Sequence, residues 1–327
     1  MFQDILPNAL KILEKFNINI VFVDIGARNG MYLLSDISQY IDAYGFEPNP
    51  EEYEKLVTGK TDSVMAGIIL PNYHNASYYP YAISNFNGVS ELNIYSGPGA
   101  GSLLEPNEER LREIVWKGEC YKNNFYDTRF SSCKKKFQVE TIMLNDFITN
   151  NFINYIDFLK IDVESSEYEV LEGAKKILSN VGVIKVETCF IPVREYDFDL
   201  LHYEIDPVQV GYKERVLPIN YHPIGYADKY GQPLCCDAIY VNRSINEPSR
   251  ALAQAMVLLD LGYIDEALHI LINRASICDH GFFNILKNYR GGTKSESLRA
   301  VGYYCVDRIV NYASHIYQIL KRIKRFL

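Results

Sequence analysis

The sequence predicts an α/β protein built on a doubly wound, mostly parallel sheet, followed by a helical appendage. Three observations carry this. Short, almost continuous apolar runs at Ile18–Ile25, Ile156–Val163 and Val181–Val186 have the β-branched content of strands buried on both faces. Stretches with helical spacing separate them, the alternation that winds parallel strands with helices on either side. After Pro248 the strand signal stops and the rest reads as helix.

Taken in order, residues 4–16 set Ile5, Leu6, Leu10, Ile12, Leu13 and Phe16 at helical intervals and predict an opening helix. Ile18–Ile25 is a strand ending at Gly26, and a second helix is expected over Met31–Ile41. A short strand, Ala43–Phe46, ends at Glu47; Pro48 and Pro50 close it and open a charged helix, Glu51–Val57. Tyr78–Ile83 reads as a strand, and Val89–Tyr95 alternates like one arm of a hairpin. Ile156–Val163 leads into a helix over Ser166–Leu178, with Leu171, Ala174, Ile177 and Leu178 on one side. Val181–Val186 and Ala238–Val241 complete the sheet. Residues 97–137 and 190–235 stand outside the alternation, and insertions of that length tend to be lids or binding loops. The domain boundary is placed near Asn246–Ser249, giving an α/β domain over 1–247 and a helical region over 248–327.

Composition narrows the class. Of 327 residues, 48% are hydrophobic and 23% charged, which is ordinary globular usage. Acids outnumber bases by 41 to 33, a net charge of −8 that argues against a nucleic-acid partner, whose binding depends on phosphate neutralisation. The cysteines, 7 in number, are odd and include no CxxC, so they are expected as reduced thiols in a cytoplasmic protein. The first residues lack the pattern of a secretory signal, and no apolar run approaches the roughly 20 residues that span a bilayer. Tyrosine is abundant, at 26 residues; it can face sugars or fill a core, and composition does not choose.

The sharpest motif is VFVDIGARNG at 21–30. A strand runs into Asp24, and Gly26 and Gly30 flank a tight turn expected to open a helix. Glycine permits positive φ and close backbone approach, and a helix N-terminus offers unpaired N–H groups. About twenty residues on, Glu47 ends the next strand, where a carboxylate can accept from both ribose hydroxyls. A nicotinamide dinucleotide would want G-x-G-x-x-G, but Arg28 occupies the middle glycine position. S-adenosylmethionine has no pyrophosphate and carries an ammonium that Asp24 could pair with, so the turn fits that cofactor better. An amino-methylating DNA enzyme is disfavoured, since KIDVE stands where an (N/D)PP(Y/F) clamp would be.

On these residues the chain resembles the FkbM-type family of S-adenosylmethionine-dependent methyltransferases. The motifs are VDIGARNG (23–30), FEPNP (46–50), AISNFNG (82–88) and LKIDVESSEYEVLEGA (159–174), joined by VETIMLNDFI (139–148), VIKVE (183–187) and CDAIYVN (236–242). The likeness covers roughly residues 18–243 and departs at Ser165–Ser166, where the family usually has Gly-Ala. It implies a Rossmann-like class I methyltransferase sheet. It also implies cofactor contacts from Asp24, Gly26, Ala27, Asn29, Gly30, Glu47, Ala82, Ser102, Lys160 and Asp162.

Lys160, Asp162 and Glu164 alternate along one strand and share a face, at the end of the sheet where the reactive group would sit. Methyl transfer to oxygen needs alignment and removal of a hydroxyl proton, so Asp162, Glu164 and Glu187 are candidate bases or acceptor anchors. His202 and His222 in the second insertion are further candidates. Carboxylates suit Mg²⁺, but no diagnostic metal loop is present, and no metal ligand is assigned. The resemblance implies O-methylation, commonly of sugars in surface glycans or of natural-product hydroxyls. Trp116, Tyr121, Tyr126, Tyr203, Tyr212, Tyr221 and Tyr226, set among Asn, Asp and Lys, fit a sugar acceptor.

In the helical region, LLDLGYIDEALHIL (258–271) looks like half a tetratricopeptide-type unit, expected to pack on the catalytic domain or on a second subunit, as in a homo-oligomer. The end of the chain carries Arg308, Lys321, Arg322, Lys324 and Arg325 beside apolar residues at helical intervals. This basic face predicts peripheral docking on the inner side of a membrane or contact with a glycan enzyme, or simply a packed helix with a solvated face. The reading from sequence is a sugar O-methyltransferase of capsule or lipopolysaccharide synthesis. Its alternatives are a catalytically dead S-adenosylmethionine-binding scaffold and a natural-product O-methyltransferase.

Overall fold

The computed structural model describes residues 10–11, 13–96, 99, 101–107, 133–189, 220–223 and 235–275, with 188–189, 220–223 and 235–236 described by backbone alone. These fall in a compact unit spanning 1–278. The expected basic face over 308–327 lies outside the described residues.

The main sheet is built from β1 (Ile20–Ile25), β2 (Ile41–Phe46), β3 (Asn75–Tyr79), β7 (Ile156–Ile161), β8 (Val181–Cys189), β9 (Asn220–Pro223) and β10 (Cys235–Val241). Their order is β3-β2-β1-β7-β8-β10-β9. The first five are mutually parallel, with Asp24 opposite both Gly45 and Lys160. The β10 strand runs antiparallel between β8 and β9, with Asp237 opposite Glu187 on one side and His222 on the other. The chain works outward from β1 to β3 and then returns to β7 on the other side of β1. That reversal opens a crevice at the carboxyl ends of β1 and β7. A smaller sheet, β4 (Ala82–Ser84), β6 (Cys133–Met143) and β5 (Gly88–Tyr95) in that order, stands beside it.

The apolar runs behave as their composition requires. All six residues of β7 are buried, and Phe22 stacks on Phe158 with ring centroids 5.1 Å apart. Val23, Ile25, Leu159, Ile161 and Val186 form the core against Leu144, Phe147 and Ile148 of α3 (Leu144–Asn150) and Val170 and Leu171 of α4 (Glu167–Gly173). The charged helix expected at 51–57 is α1 (Pro50–Val57), capped by Asn49, whose side chain accepts from the Glu51 N–H. A short α2 (Asp62–Met65) follows, capped by Thr61.

Several expectations are corrected. No α-helix opens after the glycine turn; residues 26–34 are irregular and a 3₁₀ helix runs from Ser35 to Tyr40. Asn29, Gly30 and Leu34 all have positive φ, which interrupts any right-handed helix. The buried residues Met31, Leu34 and Ile37 recur every 3 positions, the 3₁₀ period, not every 3.6. The strand expected over 78–83 is broken at Pro80, and its halves, β3 and β4, belong to different sheets. The arm at 88–95 does pair antiparallel, but its partner is β6, so the pairing closes over the insertion. The strand β6 begins at Cys133, inside what the sequence reads as insertion, because its exposed half (CKKKFQ) is too polar to signal a strand. The helix expected over 166–178 ends at Gly173, and a 3₁₀ turn covers Leu178–Asn180.

Over residues 248–275 the chain stays on the sheet. Helix α5 (Pro248–Asp260) buries every residue from Ala251 to Leu259 and packs on β7 and β8. Arg250 Nη1 donates to both carboxylate oxygens of Asp157, at 3.1 and 2.8 Å, and Gln254 donates to the carbonyls of Gly182 and Asn242, at 2.7 and 2.9 Å. Helix α6 (Ile264–Asn273) packs on α5. Among the described residues, no helix is long and apolar enough to cross a membrane.

Candidate active site

The crevice holds a cleft of about 440 Å³. Four parts of the chain line it. The turn after β1 gives Gly26, Arg28, Asn29 and Tyr32; the end of β2 gives Phe46, Glu47, Asn49 and, from α1, Glu52. The small sheet and its loop give Ala82, Ile83, Leu92, Ile94, Ser102 and Leu103, and the end of β7 gives Lys160, Asp162, Glu164 and Ser166.

The turn is fixed by backbone bonds. Gly26 and Ala27 donate to the Phe46 carbonyl at 3.1 and 2.9 Å, and Asp162 donates to the Ile25 carbonyl at 3.0 Å. Gly26 has φ +89°, and a Cβ there would lie 1.9 Å from the Asp162 carbonyl oxygen. Only glycine lets the two strand ends approach this closely. Gly26 itself lines the cleft.

Below the turn, Lys160 Nζ donates to Asp24 Oδ1 at 3.0 Å and lies 3.3 Å from Asp162 Oδ2. Burial disfavours the charged lysine, but Asp24 and Asp162 outweigh it and push its pKa up. Asp162 is pulled the other way: burial raises its pKa, yet the charges of Lys160 and Lys185 and a hydrogen bond with Glu187 hold it below the usual carboxylate range. With 39% of its side chain exposed, it presents a stable anion to the cleft. Lys185 pairs with Asp237 at 2.8 Å.

Glu47 is buried at the end of β2, where it accepts from the Asn49 N–H at 2.8 Å. Burial lifts its pKa to about 7. A carboxylate so poised gains from any partner that donates hydrogen bonds to its ionised form. Beside it, Arg28 makes long contacts with Glu52 and Asp62, both at 3.5 Å. On the opposite wall, Ser102 Oγ donates to the Glu164 carbonyl at 2.7 Å and tethers the loop after β5. Glu164 and Ser165 both adopt positive φ, +59° and +86°. Two buried polar atoms of the lining, Asn29 Oδ1 and Ser166 Oγ, have no hydrogen-bond partner among the described residues.

Of the residues expected to touch a cofactor, Gly26, Asn29, Glu47, Ala82, Ser102, Lys160 and Asp162 line the cleft. Asp24 does not: it is 1% exposed and pairs with Lys160. Ala27 is buried beneath the turn, and Gly30 faces Leu70 and Tyr78. Glu164 lines the cleft; Glu187 is not among the lining residues and hydrogen-bonds Asp162. His202 lies outside the described residues, and His222 is placed by register alone, opposite Asp237. Trp116, Tyr121, Tyr126, Tyr203, Tyr212 and Tyr226 are outside as well, and Tyr221 is described only by its place in β9. Sequence reasoning missed Arg28 as lining, the apolar wall of Leu92, Ile94 and Leu103, and Ser166. Among the described residues, no group of His, Cys, Asp and Glu is arranged to hold a metal ion.

A doubly wound sheet with an antiparallel strand near one edge, and a cleft between a glycine turn and an acidic strand end, define a Rossmann-like methyltransferase fold. The family described as the methyltransferase FkbM domain matches residues 24–212, and the chain belongs to it. Among solved structures, TehB from Haemophilus influenzae is similar over 72% of this chain at 10% identity and a TM-score of 0.28; the chain spans 62% of TehB. The methyltransferase domain of a bacterial Hen1 is similar over 72% of this chain and 96% of its own, at 11% identity and a TM-score of 0.28. No curated protein matches the chain.

Proposed function

We propose that the protein is an S-adenosylmethionine-dependent O-methyltransferase acting on a sugar hydroxyl in surface-polysaccharide synthesis. The observation that carries the cofactor reading is Glu47. A buried carboxylate with a pKa near 7, facing the cleft beside a glycine turn, is suited to accept from a pair of ribose hydroxyls. The lining fits the remainder: Ile83, Leu92, Ile94 and Leu103 offer an apolar wall to a base, and Asn29 Oδ1 offers an unused acceptor to an ammonium.

When bound, S-adenosylmethionine supplies an electrophilic methyl group on a sulfonium. The chain's own residues hold and orient. Glu47 binds as a carboxylate, releasing its proton; Ser102 and Glu164 close one wall, which excludes water. Asp162, kept ionised by Lys160 and Lys185, faces the cleft, where it would orient an acceptor hydroxyl and take up the proton that the hydroxyl loses. The sugar reading is supported by the tyrosine-rich insertions of the sequence and by Asp162, a part-exposed anion suited to a hydroxyl donor. A cytoplasmic place for this chemistry, at the inner face of the membrane through the basic C-terminal segment of the sequence, belongs to the same proposal.

Two experiments test it. Titration calorimetry with S-adenosylmethionine and S-adenosylhomocysteine is expected to show one-to-one binding. Mass spectrometry of the cell's surface glycan, with and without the gene, is expected to differ by one methyl group on a sugar. Binding without any methylated glycan would favour the scaffold reading.

A further inference from the structure

Ser166 stands apart in the wall of the cleft. It is 3% exposed, and its Oγ has no hydrogen-bond partner among the described residues. A buried hydroxyl left unpaired costs on the order of 1–3 kcal/mol, so one that lines a cleft calls for a partner from outside the chain. Its local use is also declined: Ser166 occupies the N-cap position of α4 yet makes no side-chain cap bond there. Capping by serine is ordinarily favourable, and among the described residues the hydroxyl is not spent on the fold.

Its place narrows the partner. Ser166 heads helix α4 just after β7 and lines the same cleft as Ala82 and Ile83 of β4, the strand on which that helix packs. With Leu92, Ile94 and Leu103 these form the apolar wall of the cleft, while Lys160 and Asp162 come from the β7 side. An apolar wall with an unpaired hydroxyl at its margin suits a flat heteroaromatic ring that stacks on the aliphatic side chains and turns a polar edge outward. A serine hydroxyl both donates and accepts, so it meets a ring nitrogen or an exocyclic amino group equally well.

We propose that Ser166 hydrogen-bonds the polar edge of the cofactor's purine and is a specificity-determining residue for its nucleoside half. This rests on the cofactor reading above. It assigns the bond to the half of the ligand that adenosine, 5′-methylthioadenosine and S-adenosylhomocysteine share.

Those three compounds, titrated calorimetrically into the wild-type chain and Ser166→Ala, test it. The substitution is expected to weaken all three by one common factor, roughly three- to tenfold, the size of a neutral hydrogen bond. The melting temperature of the free protein is expected to hold or rise, because an unpaired buried hydroxyl is removed. Ser166→Cys, of similar shape but a weaker donor, is expected to fall between. Unchanged affinities in both variants would overturn the proposal, and so would a loss confined to S-adenosylhomocysteine, which would place the hydroxyl at the amino-acid half. If the wild-type chain bound none of the three, the cofactor reading would fail and take this assignment with it.

Discussion

The two ends of β7 carry buried charge in opposite ways. At the amino end, Asp157 is 2% exposed and fully engaged: Arg250 takes both its oxygens and the Val21 N–H donates to one of them at 2.9 Å. Gln254 completes that clamp, and Arg250 also bonds the Asn19 carbonyl at 3.2 Å. At the carboxyl end, the Lys160 pair is buried, but Asp162 is part-exposed, Glu164 and Ser165 sit in left-handed backbone, and Asn29 and Ser166 have polar atoms unpaired among the described residues. At the amino end the charged pair is satisfied internally and holds α5 on the sheet, while Gln254 Oε1 is left without a partner among the described residues. The other end leaves groups open, and that is where a ligand gains most.

The strongest way to break this contrast is at Gly26. Gly26→Ala sets a methyl group against the Asp162 carbonyl, and positive φ adds strain. Cofactor affinity is expected to drop at least about a hundredfold, with a stability loss of about 3 kcal/mol, read by calorimetry and chemical denaturation. Arg250→Ala strikes the other end. It strands a buried carboxylate, and unfolding in urea is expected to show about 3–5 kcal/mol lost. Cofactor affinity of the folded fraction should stay within about twofold, because the clamp is remote from the cleft.

Glu47→Gln separates binding from folding. Its pKa is raised in the folded chain, to about 7, so its stability contribution is complete below the unfolded value, near 4.5, and is lost as pH rises through 7. Raised values for Asp157, about 6, and Asp260, about 7, act in the same direction. The melting temperature of the free protein should therefore fall from about pH 5.5 to about pH 8, and Glu47→Gln should flatten part of that fall, on the order of 3 kcal/mol. The smallest effect is expected at Ser165. Placing glycine there relieves a left-handed residue, and Ser165→Gly should raise stability by up to about 1 kcal/mol, after the entropy cost of glycine.

Where the sequence was legible, it was so for physical reasons. Strands buried on both faces leave uninterrupted apolar runs, so β1, β7 and β8 could be read directly. Glu47 and the glycine turn were visible because a turn constrains residue type and a strand end constrains spacing. The 3₁₀ helix at 35–40 was misread because periods of 3.0 and 3.6 look alike over ten residues, although burial at Met31, Leu34 and Ile37 shows the tighter one. The break at Pro80 was in plain view, but a run of aromatics on either side concealed it. The Lys160–Asp24 pair is not legible in the sequence, which shows that a carboxylate ends near a turn, not that a lysine on the neighbouring strand bonds to it. Ser166 left no signal at all; an unpaired hydroxyl can be recognised only once its surroundings are known.

The central claim is that the open end of β7 and the buried carboxylate of β2 together form an S-adenosyl site. Calorimetric titration of S-adenosylhomocysteine near pH 7, repeated in buffers of different ionisation enthalpy, measures both affinity and proton exchange. The account predicts one-to-one binding with release of about half a proton by the wild-type chain, as Glu47 goes from half-protonated to ionised, and almost no release by Glu47→Gln. No binding by the wild-type chain, or equal proton release by both proteins, would contradict it.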